Sequence, residues 1–272
     1  MTSAELRYAT GPAGPIAYRD VRPHCADTMV FVHGLNMASG VWDEMAARLP
    51  EFRCVSFDLR GHGASVRRGP YAVENYLEDL SAVLDAADVS VAQLVGVSVG
   101  GLIGCAFAER HPDRVRSVVA LGSGFTAQHN DLEAGMARMR EIGVREYFRV
   151  SLPSGSLPAD APDALGARLV ELAVTGREDV AMVEELIREV FEKDLTHVLA
   201  GPVGRPVLVV NGEFDRTCPP EGGRALAAAA GGRWQAVPGA GHLLPLEQPE
   251  HCARLAAGLY RETHAGTRRV AR

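Results

Sequence analysis

Three side chains in this chain of 272 residues have the types and spacing to break an acyl bond: Ser98, Asp215 and His242. A serine hydroxyl is a poor nucleophile until a base takes its proton, and an imidazole serves as that base when an acid orients it. Ser98 sits in Gly96-Val97-Ser98-Val99-Gly100, after the apolar run Ala92-Gln93-Leu94-Val95 and before a helical pattern over Gly101–Arg110. A strand–serine–helix turn with glycine two residues to either side is the setting of an exposed nucleophile. The sharp turn is expected to strain the serine backbone, at about 1–3 kcal/mol. The flanking glycines remove Cβ atoms where strand and helix approach. The helix N-terminus supplies N–H groups, that of Val99 first, where negative charge would develop. The pentapeptide alone is weak evidence, since it also fits a serine in an ordinary βα turn.

The elements around it decide. Downstream, the strand-like run Pro206–Val210 leads into Asn211-Gly212-Glu213-Phe214-Asp215. A second run, Trp234-Gln235-Ala236-Val237, leads into Pro238-Gly239-Ala240-Gly241-His242. Both candidates therefore fall just past the carboxyl ends of strands, where open α/β sheets build their sites. Along the chain the order is serine, then acid, then histidine. Glu213 is the second choice for the acid, while Asp58 and Asp79 are less well placed. Further strands are read at Leu6–Thr10, Ile16–Arg19, Thr28–Val32, Arg53–Asp58 and Val115–Leu121, with helices at Val41–Leu49 and Val73–Ala87. From Phe125 to Gly201 the strand rhythm stops. Helical spacing appears there over Leu132–Ile142, Arg145–Val150, Ala164–Thr175 and Asp179–Leu199, with a breaker at Leu152-Pro153-Ser154-Gly155-Ser156-Leu157-Pro158.

Five motifs in order make the chain resemble the α/β-hydrolase fold superfamily from about Ile16 to about Tyr260: Val30-Phe31-Val32-His33-Gly34, Phe57-Asp58-Leu59-Arg60-Gly61-His62-Gly63-Ala64-Ser65, the Ser98 pentapeptide, Gly212–Asp215 with Pro219, and Gly241-His242 with Leu246-Glu247-Gln248-Pro249-Glu250. Within it the chain is most similar to small esterases and lactonases around 3-oxoadipate enol-lactonase. The resemblance implies an α/β fold with a mostly parallel eight-stranded sheet flanked by helices. It implies a core of residues 1–124 and 202–272, and a helical cap over 125–201 inserted after the sixth strand. It also implies that the N–H of Leu35 joins that of Val99 as oxyanion donor. Asn36 and Phe125 are candidate pocket residues, whereas Trp42 is expected to pack a helix start. Met136, Met139, Phe148 and Phe191 are expected to pack the helical segment, and His33 and His62 to anchor loops by hydrogen bonds.

Composition narrows the rest. The net charge of −6 argues against nucleic acid, and the sparse basic tail Arg268-Arg269…Arg272 is expected to be a solvated end. No apolar run is long enough to span a bilayer, and Met1–Arg7 lacks a basic-then-apolar leader pattern, so no membrane partner and a cytoplasmic location are expected. The five cysteines are scattered, Cys54 and Cys105 falling where core is expected, and no metal-ligand spacing occurs. Neither metal nor cofactor is expected, and a homo-oligomer is compatible with the sequence.

The expected activity is a serine hydrolase cleaving a small, mainly apolar ester or lactone through an acyl-enzyme. Carboxylate-nucleophile chemistry is disfavoured by serine at position 98. A meta-cleavage-type C–C hydrolase is weakened by Leu243, where many such relatives carry tryptophan beside the histidine. Cofactor-free perhydrolase or haloperoxidase chemistry uses the same triad and stays open, as does a non-hydrolytic ligand sensor or cyclase on the same fold.

Overall fold

A computed structural model describes residues 5–127 and 131–270, with side chains as far as His264. Eight strands among these residues form one sheet: β1 (Leu6–Gly11), β2 (Gly14–Val21), β3 (Thr28–Val32), β4 (Arg53–Phe57), β5 (Ala92–Val97), β6 (Val115–Leu121), β7 (Val207–Gly212) and β8 (Arg233–Val237). Their spatial order is β1-β2-β4-β3-β5-β6-β7-β8. The opening hairpin pairs antiparallel, Ala9 against Ile16, and β2 runs antiparallel to β4. Every pairing from β4 to β8 is parallel. This is the α/β-hydrolase fold. The central strands β3, β5 and β7 are buried along their whole length, as their mainly apolar sequences require when helices cover both sheet faces.

Helices α1 (Asp43–Ala47), α2 (Val73–Ala86), α3 (Val99–Arg110), α8 (Pro220–Ala230), α9 (Leu244–Glu247) and α10 (Pro249–Val270) flank the sheet. Helix α3, which follows Ser98, is buried from Val99 to Ala108. The expected helix over Val41–Leu49 is instead a 3-10 turn, Ser39–Trp42, followed by the short α1. Trp42 is buried there against Phe31, ring centroids 5.1 Å apart, and packs as expected. The backbone of α10 continues helically to Val270, so the tail expected from Arg268 is helical that far. The side chains of the tail, and the whole of Ala271 and Arg272, lie outside the described residues.

Between β6 and β7 stand α4 (Leu132–Ile142), α5 (Val144–Ser156), α6 (Asp163–Val174) and α7 (Val180–Phe191). Asp131 caps α4 by accepting from Ala134 N–H at 2.9 Å, and Asp179 caps α7 by accepting from Ala181 and Met182 N–H. Helix α7 buries Met182, Val183, Leu186, Ile187 and Val190, the stripe of an amphipathic helix. That stripe meets the loop after β4, where a Cβ on Gly61 would lie 3.0 Å from Leu186.

Two boundaries depart from the sequence reading. Helix α5 runs through the expected breaker to Ser156. Pro153 deprives it of one N–H near its end, where few helical bonds remain to lose, and its ring packs on Gly166 of α6. The expected helix Asp179–Leu199 ends at Phe191 and resumes as a 3-10 turn, Thr196–Val198. Met136, Met139 and Phe148 are buried. One apolar cluster continues from the sheet residues Val30, Val32 and Val55 into Met139, Phe148, Val170 and Leu186 of these helices.

Candidate active site

Ser98 stands at the carboxyl end of β5 with φ 57° and ψ −129°, the left-handed strain expected of a nucleophile turn. Its neighbours explain how the turn closes. A Cβ on Gly96 would lie 2.2 Å from the Gly100 carbonyl oxygen, and one on Gly100 would lie 2.2 Å from that of Val32. Ser123, on the turn after β6, donates its hydroxyl to the Ser98 carbonyl at 2.8 Å and braces the bend from the other side.

Asp215 follows β7 and His242 follows β8, and the sheet brings them together: His242 Nδ1 lies 3.0 Å from both carboxylate oxygens of Asp215. Both side chains are buried. A carboxylate only accepts, so Nδ1 carries the proton and Nε2 keeps a lone pair. Asp215 is fixed in turn by Thr217 N–H at 3.0 Å and Cys218 N–H at 2.8 Å. The acid loop hangs on Asn211, whose amide donates to the carbonyls of Ser123 and Cys218 and accepts from Trp234 Nε1.

Ser98 and His242 line one cavity of about 390 Å³, together with Leu35, Asn36 and Met37 from the loop after β3 and with Tyr147, Phe148, Ile187 and Phe191 from α5 and α7. Among the described residues no hydrogen bond joins Ser98 to His242 in this conformation. The Cys218 thiol next to the acid loop donates to the Thr126 carbonyl at 3.8 Å, and burial pushes it well above its ordinary pKa. The loop after β3 reaches Ser98 because position 34 is glycine: a Cβ there would lie 2.8 Å from Ser98 Cβ. Neither Leu35 N–H nor Val99 N–H is used by a turn, loop or capping bond of the described backbone.

The remaining candidates separate cleanly. Asn36 is on the cavity wall, but Phe125 is not among its lining residues; it is half-buried and packs on the apolar core. Glu213 accepts from Gly239 N–H, Asp58 from Ser39 and Ala64 N–H, and Asp79 is held by Arg60, so each acid passed over has another partner. His33 Nδ1 donates to Gly34 O at 2.7 Å and its Nε2 accepts from Leu59 N–H at 2.9 Å, the loop anchor expected. His62 Nδ1 bonds the Arg60 carbonyl at 3.0 Å.

Two residues at the site were not anticipated. Glu247 accepts from Gly241 N–H at 2.6 Å and Leu243 N–H at 2.7 Å, so one carboxylate grips the backbone on both sides of His242. Its signal was present in Leu246-Glu247-Gln248-Pro249-Glu250, which marks a helix start without saying which acid turns back. Arg177 follows α6 and is buried, although an arginine in Thr175-Gly176-Arg177-Glu178 reads as solvated.

Comparison with known proteins agrees with this fold. The family model described as alpha/beta hydrolase fold matches residues 27–149. A protein of Mycobacterium phage D29, named provisionally as a non-heme haloperoxidase, is 28% identical over 84% of this chain and 86% of its own length. A pimeloyl-[acyl-carrier protein] methyl ester esterase of Neisseria meningitidis is 28% identical over 76% of this chain and 68% of its own. Among solved structures, the enol-lactonase of Burkholderia xenovorans superposes with a TM-score of 0.82 at 26% identity, covering 94% of this chain and all of that one. The chain has the α/β-hydrolase fold, and these matches support a hydrolase of that superfamily with esterase- and lactonase-like relatives. Among the described residues no helix is long and apolar enough to cross a membrane, and no cluster of candidate metal ligands occurs.

Proposed function

We propose that the chain is a serine hydrolase that cleaves a small ester or lactone through an acyl-enzyme on Ser98. The observation that carries this reading is the buried Asp215–His242 pair, with Nδ1 engaged and Nε2 left to act as base, opening on the same cavity as a strained serine. Rotation of the Ser98 hydroxyl toward His242 starts the reaction. His242 takes its proton as Oγ attacks the acyl carbon, and Asp215 stabilises the imidazolium that forms. The N–H groups of Leu35 and Val99 receive the oxyanion, where losing one donor costs about 3–4 kcal/mol. His242 then protonates the departing alkoxide, and water, activated by the same imidazole, releases the acid. Helices α4–α7 act as the cap: Tyr147, Phe148 and Phe191 exclude water and favour a compact, largely apolar acyl group.

Stopped-flow mixing with 4-nitrophenyl acetate tests this. A burst of one 4-nitrophenolate per protein, absent in Ser98→Ala, is the expected result. A linear trace with no quenched acyl adduct, or activity surviving in Ser98→Ala, overturns it. The same triad suits perhydrolysis, and the name of the phage relative favours testing it. Acetate with hydrogen peroxide, read by halide oxidation, separates the two.

A further inference from the structure

Arg177 is 1% exposed, yet its Nε and Nη2 have no hydrogen-bond partner among the described residues. Burial lowers its pKa to about 10, so it is still a cation at neutral pH, and the ionisable groups acting on its charge are Tyr76 and Tyr71 rather than a carboxylate. A buried charge without a counter-ion is costly and calls for a partner. Its Nη1 donates to the Ala173 carbonyl of α6 at 3.3 Å, and its two other contacts point at the cavity. Its Nη1 donates to Asn36 Oδ1 at 2.9 Å, and its guanidinium lies 5.5 Å over the ring of Phe148. Asn36 and Phe148 both line the cavity beside Ser98.

The Asn36 bond fixes more than position. Arginine can only donate, so the oxygen of the Asn36 amide faces Arg177 and its NH2 faces the other way. No hydrogen bond of the described residues uses that NH2. Asn36 has φ 58°, a conformation asparagine tolerates better than most residues, which holds the side chain next to the oxyanion loop at Leu35. The result is one donor on the cavity wall, the Asn36 amide, with a buried positive charge behind it that has no carboxylate partner.

We propose that Asn36 and Arg177 form a carboxylate subsite, and that the ester or lactone cleaved at Ser98 carries a free carboxylate in addition to its scissile bond. Asn36 touches that carboxylate through its NH2. Arg177 is the positioning residue behind it, orienting the amide and supplying the charge. This rests on the serine hydrolase reading above and names its substrate class: a compact half-ester or lactone acid, with an apolar stretch against Phe148 and Phe191.

The experiment compares monomethyl glutarate with its neutral isostere, methyl 5-methylhexanoate, as a ratio of kcat/KM. The wild type is expected to favour the half-ester by about tenfold or more, as a charge-assisted bond in a dry site would give. Arg177→Met and Asn36→Asp should each bring that ratio near one, mainly through KM, and Arg177→Lys should restore part of it. Asn36→Asp keeps the shape and the positive-φ tolerance while presenting a like charge, so it stands if Arg177→Met fails to fold. A wild-type ratio at or below one, or a ratio unchanged in both variants, overturns the subsite. Calorimetry of monomethyl glutarate on Ser98→Ala reads the subsite without catalysis. Binding that disappears when Asn36→Asp is added supports it, and no binding overturns it. Binding without turnover of either ester by the wild type places the failure in the serine hydrolase reading instead.

Discussion

Asp215 can orient His242 because three groups converge on it: two backbone N–H donors on its own loop and the imidazole across from it. Replacing it by asparagine leaves one acceptor oxygen and offers an N–H where the imidazole also has one, which forces the wrong tautomer. Asp215→Asn should fold with an unchanged melting temperature and lose about four orders of magnitude in kcat. Steady-state kinetics on an ester substrate check it, and near-full activity would move the acid role to Glu213. Ser98, Asp215 and His242, which the fold brings to one place, were picked out by residue type, order and position after strands. Arg177 and Glu247 were not, for a common reason. A charged residue reads as solvent-facing unless something shows that the chain folds back over it, and neither the cavity behind Asn36 nor the turn that returns Glu247 to Gly241 leaves a local pattern.

The turns between elements are held by close backbone approach more than by side-chain bonds. Gly34 is the sharpest instance, since its substitution drives a methyl group into Ser98 Cβ and to 3.0 Å from the Val97 carbonyl oxygen. Gly34→Ala should therefore separate the loop carrying Leu35 from the nucleophile and lower kcat at least about a hundredfold while the far-ultraviolet spectrum is retained. Activity within a few-fold of wild type would show that the Leu35 N–H is not needed. The strands were legible because β3, β5 and β7 are mainly apolar and lead into turns that contain glycine, and their bounds shift by a residue or two at most. The helices between β6 and β7 were legible in kind but not in extent. Pro153 reads as a stop, and it fails to be one because it falls in the last turn of α5 and finds a surface on Gly166.

Stability of the whole molecule depends on groups buried beneath the site. Arg60 grips Asp79 of α2 with two bonds, at 2.6 and 2.8 Å, both side chains fully enclosed. Asp79→Asn leaves that guanidinium unpaired and should cost about 3–5 kcal/mol in urea denaturation; a loss under about 1 kcal/mol would contradict the account. His33 and His62 give the fold a pH dependence. Burial holds both below their ordinary value of 6.5. In the unfolded chain they take up protons as the pH falls through that value, while the folded chain keeps them neutral. The unfolded state then binds more protons, so stability is full above about pH 6.5 and declines below it, by up to about 1.4 kcal/mol per pH unit for each histidine. Urea midpoints from pH 7.5 down to 5 should fall accordingly, and a flat series would mean that both rings take up protons in the fold as readily as in the unfolded chain.

The central claim is that Ser98 is an activated nucleophile, and intact mass after treatment with a fluorophosphonate probe tests it most directly. One adduct per wild-type chain, none on Ser98→Ala and far slower labelling of Asp215→Asn are the predicted results. A folded wild type that stays unlabelled, or labelling that persists without Ser98, would contradict it.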